Sequence, residues 1–165
     1  MRTRKFRAGD AAAVSKIMKA AFKSFLGDKW DWIDEKNFAP KTIRTTARAK
    51  SGFGETVSYV AVEGRRILGY IRGSSSICGL GCLDVVGVDP NTFKKGVGRA
   101  LMKALESFWR QKKQRKAYTS VAAHNTRALI YYISNGFVPV GCQKDHFKTG
   151  VDEIILDRFL CAPGC

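Results

Sequence analysis

Residues 82–102, CLDVVGVDPNTFKKGVGRALM, constrain the fold more than any other stretch of the chain. An apolar run rich in β-branched residues stops at Asp89, a turn with glycine follows, and an amphipathic segment begins at residues 96–99. This order predicts a strand, a loop and the N-terminus of a helix. Backbone amides without a helical partner, together with Lys94 and Lys95, predict a site for a phosphate-bearing ligand there.

The length and the charge of the chain limit the classes of protein that it fits. Its 165 residues suit one domain at residues 1–160 with a short tail at residues 161–165, and its 45% hydrophobic content is ordinary for a soluble globular protein. The 29 Lys and Arg against 14 Asp and Glu give a net charge of +15, which favours polyanionic partners. Charge alone leaves nucleic acid, an anionic membrane and a phosphorylated cofactor open.

The cysteines predict a reducing compartment. Their number is odd and their spacing has no CxxC or Cys/His metal pattern, so we expect a cytoplasmic protein without a metal site. The five are Cys78, Cys82, Cys142, Cys161 and Cys165. Asp10, Lys16 and Lys19 interrupt the segment after the basic N-terminus, which predicts neither a secretory signal nor a membrane span.

Hydrophobic periodicity predicts the element order β-α-α-β-β-β-α-β-α-β-β. We expect Asp10 to be the N-cap of the first helix, Pro40 to open a second helix at residues 40–50, and Gly64 to lie in a hairpin turn. Residues 74–81 are predicted to form a loop. The remaining elements are strands at residues 2–7, 56–63, 66–73, 117–122, 137–142 and 153–160 and a helix at residues 125–135. This order predicts an α/β (mixed α+β) fold, with a six- to seven-stranded mixed sheet and helices on both faces.

Aromatic residues near the first helix have two interpretations. Phe22 and Phe25 lie on its apolar face and are predicted to pack in the core. Trp30, Trp32 and Phe38 follow in a polar stretch, where they either anchor a loop or line the opening of a substrate site.

The glycine turn fits neither of two common nucleotide-binding signatures. A P-loop requires GxxxxGK[ST], which does not occur in the sequence. A dinucleotide-binding fold requires GxGxxG, and here Gly98 is followed by RAL without a third glycine. Both kinds of site are therefore excluded.

Residues 88–102 resemble the acyl-CoA pyrophosphate loop of the GNAT superfamily of acyl-CoA N-acyltransferases, V-x-P followed by [RQ]-x-x-G-x-[GA]. Residues 125–137 are similar to that family's second signature, N-x-x-A-x-x-x-Y-x-x-x-G-F, and residues 7–10 are similar to its opening. The resemblance covers nearly the whole chain and implies the GNAT fold with acetyl-CoA as acyl donor. Phe93 departs from the pattern because the family carries Arg or Gln there, and a neighbouring lysine could replace that cation.

The resemblance also implies which residues bind the donor and move protons. In the family, a backbone amide polarises the acyl carbonyl where the fourth strand bulges, which by spacing falls at residues 86–88, with Gly87 easing the distortion. Tyr132 is then the proton donor to the departing coenzyme A thiolate, whereas Tyr131 is expected to pack. The cofactor-binding residues so assigned are Val86, Gly87, Val88, Lys94, Lys95, Gly96, Val97, Gly98, Arg99, Ala100, Asn125 and Ala128.

Asp84 is a candidate on chemical grounds, because a carboxylate inside an apolar strand must be paired, solvated or functional. It could accept the proton of an amine or bind a cationic substrate, and a structural hydrogen bond is the alternative. His124 and His146 are expected in loops, and His146 could line the acceptor pocket.

These patterns predict an N-acetyltransferase that moves an acetyl group from acetyl-CoA to a primary amine by direct transfer in a ternary complex. Phe93 and the +15 charge leave one alternative, a non-catalytic acyl-CoA-binding or nucleic-acid-associated GNAT-like domain. The acceptor is a small-molecule amine or a peptide amine. The basic surface favours a small amine, an amino sugar or an acidic peptide terminus over a Lys-rich tail. Membrane and nucleic acid are not expected as partners, and a homodimer is left open.

Overall fold

A mixed β-sheet runs through the computed structural model, which describes residues 1–26, 34–51, 54–93 and 95–160. The strands are β1 (Arg2–Lys5), β2 (Lys50–Ser51), β3 (Gly54–Glu63), β4 (Arg66–Ser76), β5 (Leu80–Val88), β6 (Lys116–Ala122), β7 (Val138–Lys148) and β8 (Val151–Phe159). The helices are α1 (Ala11–Leu26), α2 (Pro40–Thr46), α3 (Val97–Gln111) and α4 (Thr126–Ser134). The strand order β1-β3-β4-β5-β6-β8-β7, with β2 beside β3, confirms the predicted mixed sheet.

Helices cover both faces of this sheet, as predicted. On one face Leu101, Leu105 and Trp109 of α3 are fully buried in the larger core cluster. On the other face Val14 and Met18 of α1 form a second cluster with residues of α2, β3 and β4. The described part of the chain contains no helix that is long and apolar enough to cross a membrane.

The strands β5 and β6 pair in parallel over a short distance and then separate. Their paired residues are Leu80 with Lys116, Gly81 with Ala117 and Cys82 with Tyr118. Both strands continue beyond these pairs, β5 to Val88 and β6 to Ala122, without further pairing to each other. The Thr119 hydroxyl donates a hydrogen bond of 3.0 Å to the Leu83 carbonyl where the separation begins. The sheet is thus opened along its middle.

Pairing between strands extends some elements beyond the limits that the sequence predicts. Ser76 pairs with Gly54, and Ser75 pairs with Gly81, so most of residues 74–81 belong to β4 and β5. The prediction of a loop was wrong here, because tertiary pairing overrides the low strand propensity of serine and glycine.

Two further boundaries concern the first half of the chain. Pro40 is the first residue of α2 as predicted, but α2 ends at Thr46 because Lys50 already pairs with Glu55 in the sheet. The predicted helix end at Gly27, the aromatic residues Trp30 and Trp32 and the tail at residues 161–165 lie outside the described residues.

Asp10 organises the start of α1, although not as the predicted N-cap. A short 3-10 helix, Ala8–Asp10, precedes α1, and its N-cap is Arg7. The Asp10 carboxylate accepts a hydrogen bond from the Arg7 backbone N–H at 2.7 Å. It also accepts two from the Arg4 guanidinium, at 2.7 and 2.8 Å. Asp10, three residues after the N-cap Arg7, therefore links β1 to the start of the helix.

We expect Asp10→Asn to lower the free energy of unfolding by about 2 kcal/mol near neutral pH, because the variant loses a charged pair and weakens the helix entry. The Arg4 hydrogen bonds are the main reason that the pKa of Asp10 lies below its ordinary value of 3.8. The stabilisation is therefore complete above that value and lost as the pH falls through the lower folded-state pKa. Urea unfolding of both proteins near neutral pH and at about pH 2 measures this. An equal difference at both pH values would contradict it.

Candidate functional site

A large cleft of about 1490 Å³ occupies the gap between β5 and β6. Its walls are the separated halves of these two strands, the first turns of α3 and α4, the last turns of α1, and parts of α2 and β7. The residues singled out from the sequence in β5, α3 and α4 thus converge on one space.

The N-terminus of α3 forms one end of the cleft. Gly96, its N-cap, has a φ of +75°, which favours glycine. The first backbone hydrogen bond of the helix runs from the Ala100 N–H to the Gly96 carbonyl at 3.0 Å, so the three preceding N–H groups have no partner within the helix. Gly96, Val97, Gly98 and Arg99 line the cleft. These amides form an anion site that opens into it.

Two predicted cofactor contacts near this helix end do not line the cleft. Lys95 and Ala100 lie beside the cleft without lining it, so their contacts stay predictions. Lys94 lies outside the described residues. Phe93, which replaces the family's Arg or Gln, does line the cleft.

The free edge of β5 forms the floor of the cleft. The Asp89 N–H donates to the Leu68 carbonyl of β4 at 2.8 Å, and the Gly87 carbonyl also faces β4. Because alternate residues of a strand direct their backbone groups to opposite edges, those of Val86 and Val88 point toward the gap. An extended ligand can add to β5 there through backbone hydrogen bonds.

The bulge in β5 lies earlier than residues 86–88. Arg72 pairs with Val85 and Gly73 with Leu83, so Asp84 is the extra residue. The predicted position was wrong because the bulge depends on the register with β4, which spacing from Gly96 does not determine. Gly87 serves helix packing instead, since a Cβ there would lie 2.5 Å from the Met18 sulfur of α1.

The helix α4 brings Tyr132 and Tyr131 to different surroundings. Both line the cleft, but Tyr132 is 6% exposed and packs edge-on against Phe137 with ring centroids 5.9 Å apart. Burial raises the pKa of Tyr132 to about 12, against the opposing effect of the nearby Thr119 hydroxyl. The Tyr131 hydroxyl donates to the Gly98 carbonyl at 2.9 Å, so Tyr131 packs against α3 as predicted.

Asn125 and Ala128 mark the first turn of α4. The Asn125 side-chain oxygen accepts a hydrogen bond of 3.1 Å from the Ala128 N–H, which makes Asn125 the N-cap. Both residues also line the cleft. The capping role and the predicted cofactor contact are therefore compatible.

A polar cluster around Asp84 occupies the wall of the cleft that β4 and β5 form, opposite α4. The Arg72 guanidinium donates to Asp84 at 3.3 Å through Nε and to the Thr46 hydroxyl at 2.6 Å through Nη1. Burial raises the pKa of Asp84 more than Arg72 lowers it. Burial likewise raises the pKa of the Cys82 thiol to about 12. Cys82 pairs with Tyr118 of β6, and both residues line the cleft together with Tyr132.

Some cleft residues were missed or misplaced from the sequence. Arg72 was not singled out, although an arginine inside a largely apolar strand is the same signal that identified Asp84. Phe25 was expected in the core but stacks on His124 across the cleft, with ring centroids 5.2 Å apart. His124 lies in a turn as predicted. His146 lines the cleft from within β7, because that strand extends past the predicted end to Lys148.

The comparisons with known proteins agree with this architecture. A family model described as an acetyltransferase (GNAT) domain matches residues 54–139. No curated protein sequence matches the chain. Among solved structures, the ribosomal-protein-S18-alanine N-acetyltransferase from Escherichia coli is 19% identical, with a TM-score of 0.73 over 98% of this chain and 95% of its own.

Two further solved structures were determined with coenzyme A. PaiA N-acetyltransferase from Thermoplasma acidophilum is 15% identical, with a TM-score of 0.75 over 96% of this chain and 98% of its own. An aminoglycoside 6'-N-acetyltransferase is 12% identical, with a TM-score of 0.74 over 100% of both chains. At these identities the likeness shows the fold.

Proposed function

The chain belongs to the GNAT acetyltransferase family, and from this membership we propose that it transfers an acetyl group from acetyl-CoA to a primary amine by direct transfer in a ternary complex. The observation that carries the proposal is the path along the cleft. The first turn of α3, the free edge of β5 and Tyr132 all line it.

The described residues fit a CoA-type donor. The N–H groups of Val97, Gly98 and Arg99, which have no partner within the helix, suit a pyrophosphate, since a helix N-terminus favours negative charge. The backbone groups of Val86 and Val88 suit the amides of a pantetheine arm. When bound, acetyl-CoA supplies the activated acyl group as a thioester.

Tyr132 and Asp84 provide the two proton transfers that amide formation requires. A pKa of about 12 keeps the Tyr132 hydroxyl protonated near neutral pH, as a donor to a departing thiolate must be. Asp84 would hold an ammonium group and accept its proton, with Arg72 orienting the carboxylate. Burial raises the pKa of Asp84 and so makes it a stronger base than a solvated carboxylate.

Direct transfer is supported by the state of the thiol in the cleft. Of the cysteines that the structure describes, Cys82 is the one that lines the cleft. Its pKa of about 12 leaves it as a thiol near neutral pH, whereas a thiolate is the nucleophile in acyl-enzyme formation. This supports direct attack of the amine on the thioester.

The acceptor class follows from the carboxylates of the cleft. Asp84 and Glu153 both line it, and together they favour a cationic amine in spite of the basic surface. The names of two structural neighbours specify amine acceptors of different size, a ribosomal-protein alanine and an aminoglycoside. We accordingly include both peptide amines and amino sugars in the acceptor class.

The function is tested by incubating the protein with radiolabelled acetyl-CoA and a panel of amines, beside a thermal-shift titration with acetyl-CoA. We expect the melting temperature to rise with acetyl-CoA concentration and label to appear in at least one amine. RNA binding is measured at several salt concentrations as a test of the alternative function. A protein that shows no shift and no labelled amine but binds RNA with a steep salt dependence is the nucleic-acid-associated alternative, whereas a shift without any labelled amine indicates the acyl-CoA-binding one.

A further inference from the structure

The donor end of the cleft lacks the cation that the family pattern places at position 93. Among the described residues, Arg72, Arg99, Arg127 and Lys148 are the cations of Lys and Arg type that line the cleft. Arg72 bonds to Asp84 and Thr46 on the opposite wall, and Lys148 belongs to β7. This leaves two cations for the donor end of the cleft, Arg99 in the first turn of α3 and Arg127 in the first turn of α4.

Arg127 lies directly over the residue that departs from the pattern. Its guanidinium carbon is 4.8 Å from the centroid of the Phe93 ring, which is within cation–π range. Its Nη1 also donates a long hydrogen bond of 3.3 Å to the Ser24 hydroxyl of α1. The side chain is thus held at the opening of the cleft by an aromatic ring and a neutral hydroxyl.

The charge of Arg127 is not neutralised by any carboxylate among the described residues, all of whose ion pairs involve other cations. Arg127 is moreover the second residue of α4, where the helix dipole disfavours a positive charge. A bound anion would offset both costs.

The start of α3 contacts α4 at Tyr131, one helical turn after Arg127. The Tyr131 hydroxyl of α4 donates to the Gly98 carbonyl, and a Cβ at Gly98 would lie 2.9 Å from the Tyr131 ring. When a guanidinium lies over an aromatic ring, its N–H groups point to the side and can still donate to phosphate oxygens.

We propose that Arg127, held over Phe93, binds a phosphate of the CoA-type donor and replaces the cation that the family carries at position 93. This inference rests on the proposed function, because it requires a CoA-type donor. Phe93 then positions Arg127 instead of contacting phosphate itself.

The test measures the dissociation constant of CoA by isothermal titration calorimetry. We expect Arg127→Ala to weaken CoA binding about tenfold, the loss of one charge-assisted interaction. Lys103→Ala, which removes a charge from an exposed residue of α3 outside the cleft, should leave it within about twofold. Phe93→Arg added to Arg127→Ala should restore most of the affinity. Phe93→Leu alone keeps Arg127 but removes the aromatic ring beneath it, and should weaken CoA binding about threefold.

Pantetheine, which has no phosphate, identifies the group that Arg127 contacts. We expect its affinity to be equal in the unsubstituted protein and in Arg127→Ala. Unchanged or tighter CoA binding in Arg127→Ala, or an equal loss for pantetheine, would overturn the assignment. CoA binding to the unsubstituted protein is measured before that of any variant. Failure to bind CoA there would instead overturn the proposed function. Circular dichroism melting of each variant confirms that it is folded.

Discussion

Tyr132→Phe should lower kcat about 100-fold while the dissociation constant of CoA stays within about twofold. The reason is that the ring of Tyr132 is buried against Phe137, so phenylalanine keeps the packing and removes only the hydroxyl. Without that hydroxyl a departing thiolate has to take its proton from water. A change confined to the chemical step is the signature of a proton donor.

Tyr131→Phe is the matched control, because it removes a hydroxyl from the neighbouring residue. The Tyr131 hydroxyl bonds to the Gly98 carbonyl, so its loss should cost about 1 kcal/mol of stability and leave kcat within about threefold. Single-turnover measurements at saturating donor and amine separate the chemical step from product release. An unchanged single-turnover rate in Tyr132→Phe would remove Tyr132 from the mechanism.

The features predicted well from the sequence depend on residues that are close along the chain. The β-branched run of β5, Gly96 before α3 and the signature of α4 each specify a local conformation. Because the second half of β5 and the first turn of α4 both line the opening of the sheet, placing their signature residues in one site required only the fold. Gly96 with its positive φ is the clearest case, since the turn itself requires glycine.

The features that the sequence did not predict depend on contacts between distant segments. The position of the bulge at Asp84 follows from the register of β4 against β5. The cluster of Arg72, Cys82 and Tyr118 forms because three strands place those side chains next to one another. Phe25 illustrates the limit of periodicity, which identifies an apolar helix face but not whether a core or a cleft lies opposite.

Asp84→Asn should lower kcat at saturating amine about 100-fold if the carboxylate accepts the amine's proton. The base must be ionised to act. The rate of the unsubstituted protein therefore rises with pH through the pKa of Asp84, which burial raises, and the variant should lose this rise. Asp152→Asn is the control, because Asp152 does not line the cleft and its carboxylate accepts a bond of 3.2 Å from the exposed Asp145 N–H.

Unfolding of the variant would not explain a lower kcat, because the raised pKa of Asp84 predicts that Asp84→Asn does not destabilise the folded protein. A carboxyl group whose pKa is raised on folding disfavours the folded state once it is ionised, so its contribution to stability is lost as the pH rises. Replacing Asp84 by a neutral residue should consequently leave the melting temperature near neutral pH unchanged or slightly higher, with Arg72 still bonded to Thr46. If Asp84 binds the ammonium group without taking its proton, the variant raises KM for the amine and keeps kcat. If neither parameter changes, Asp84 has a structural role only.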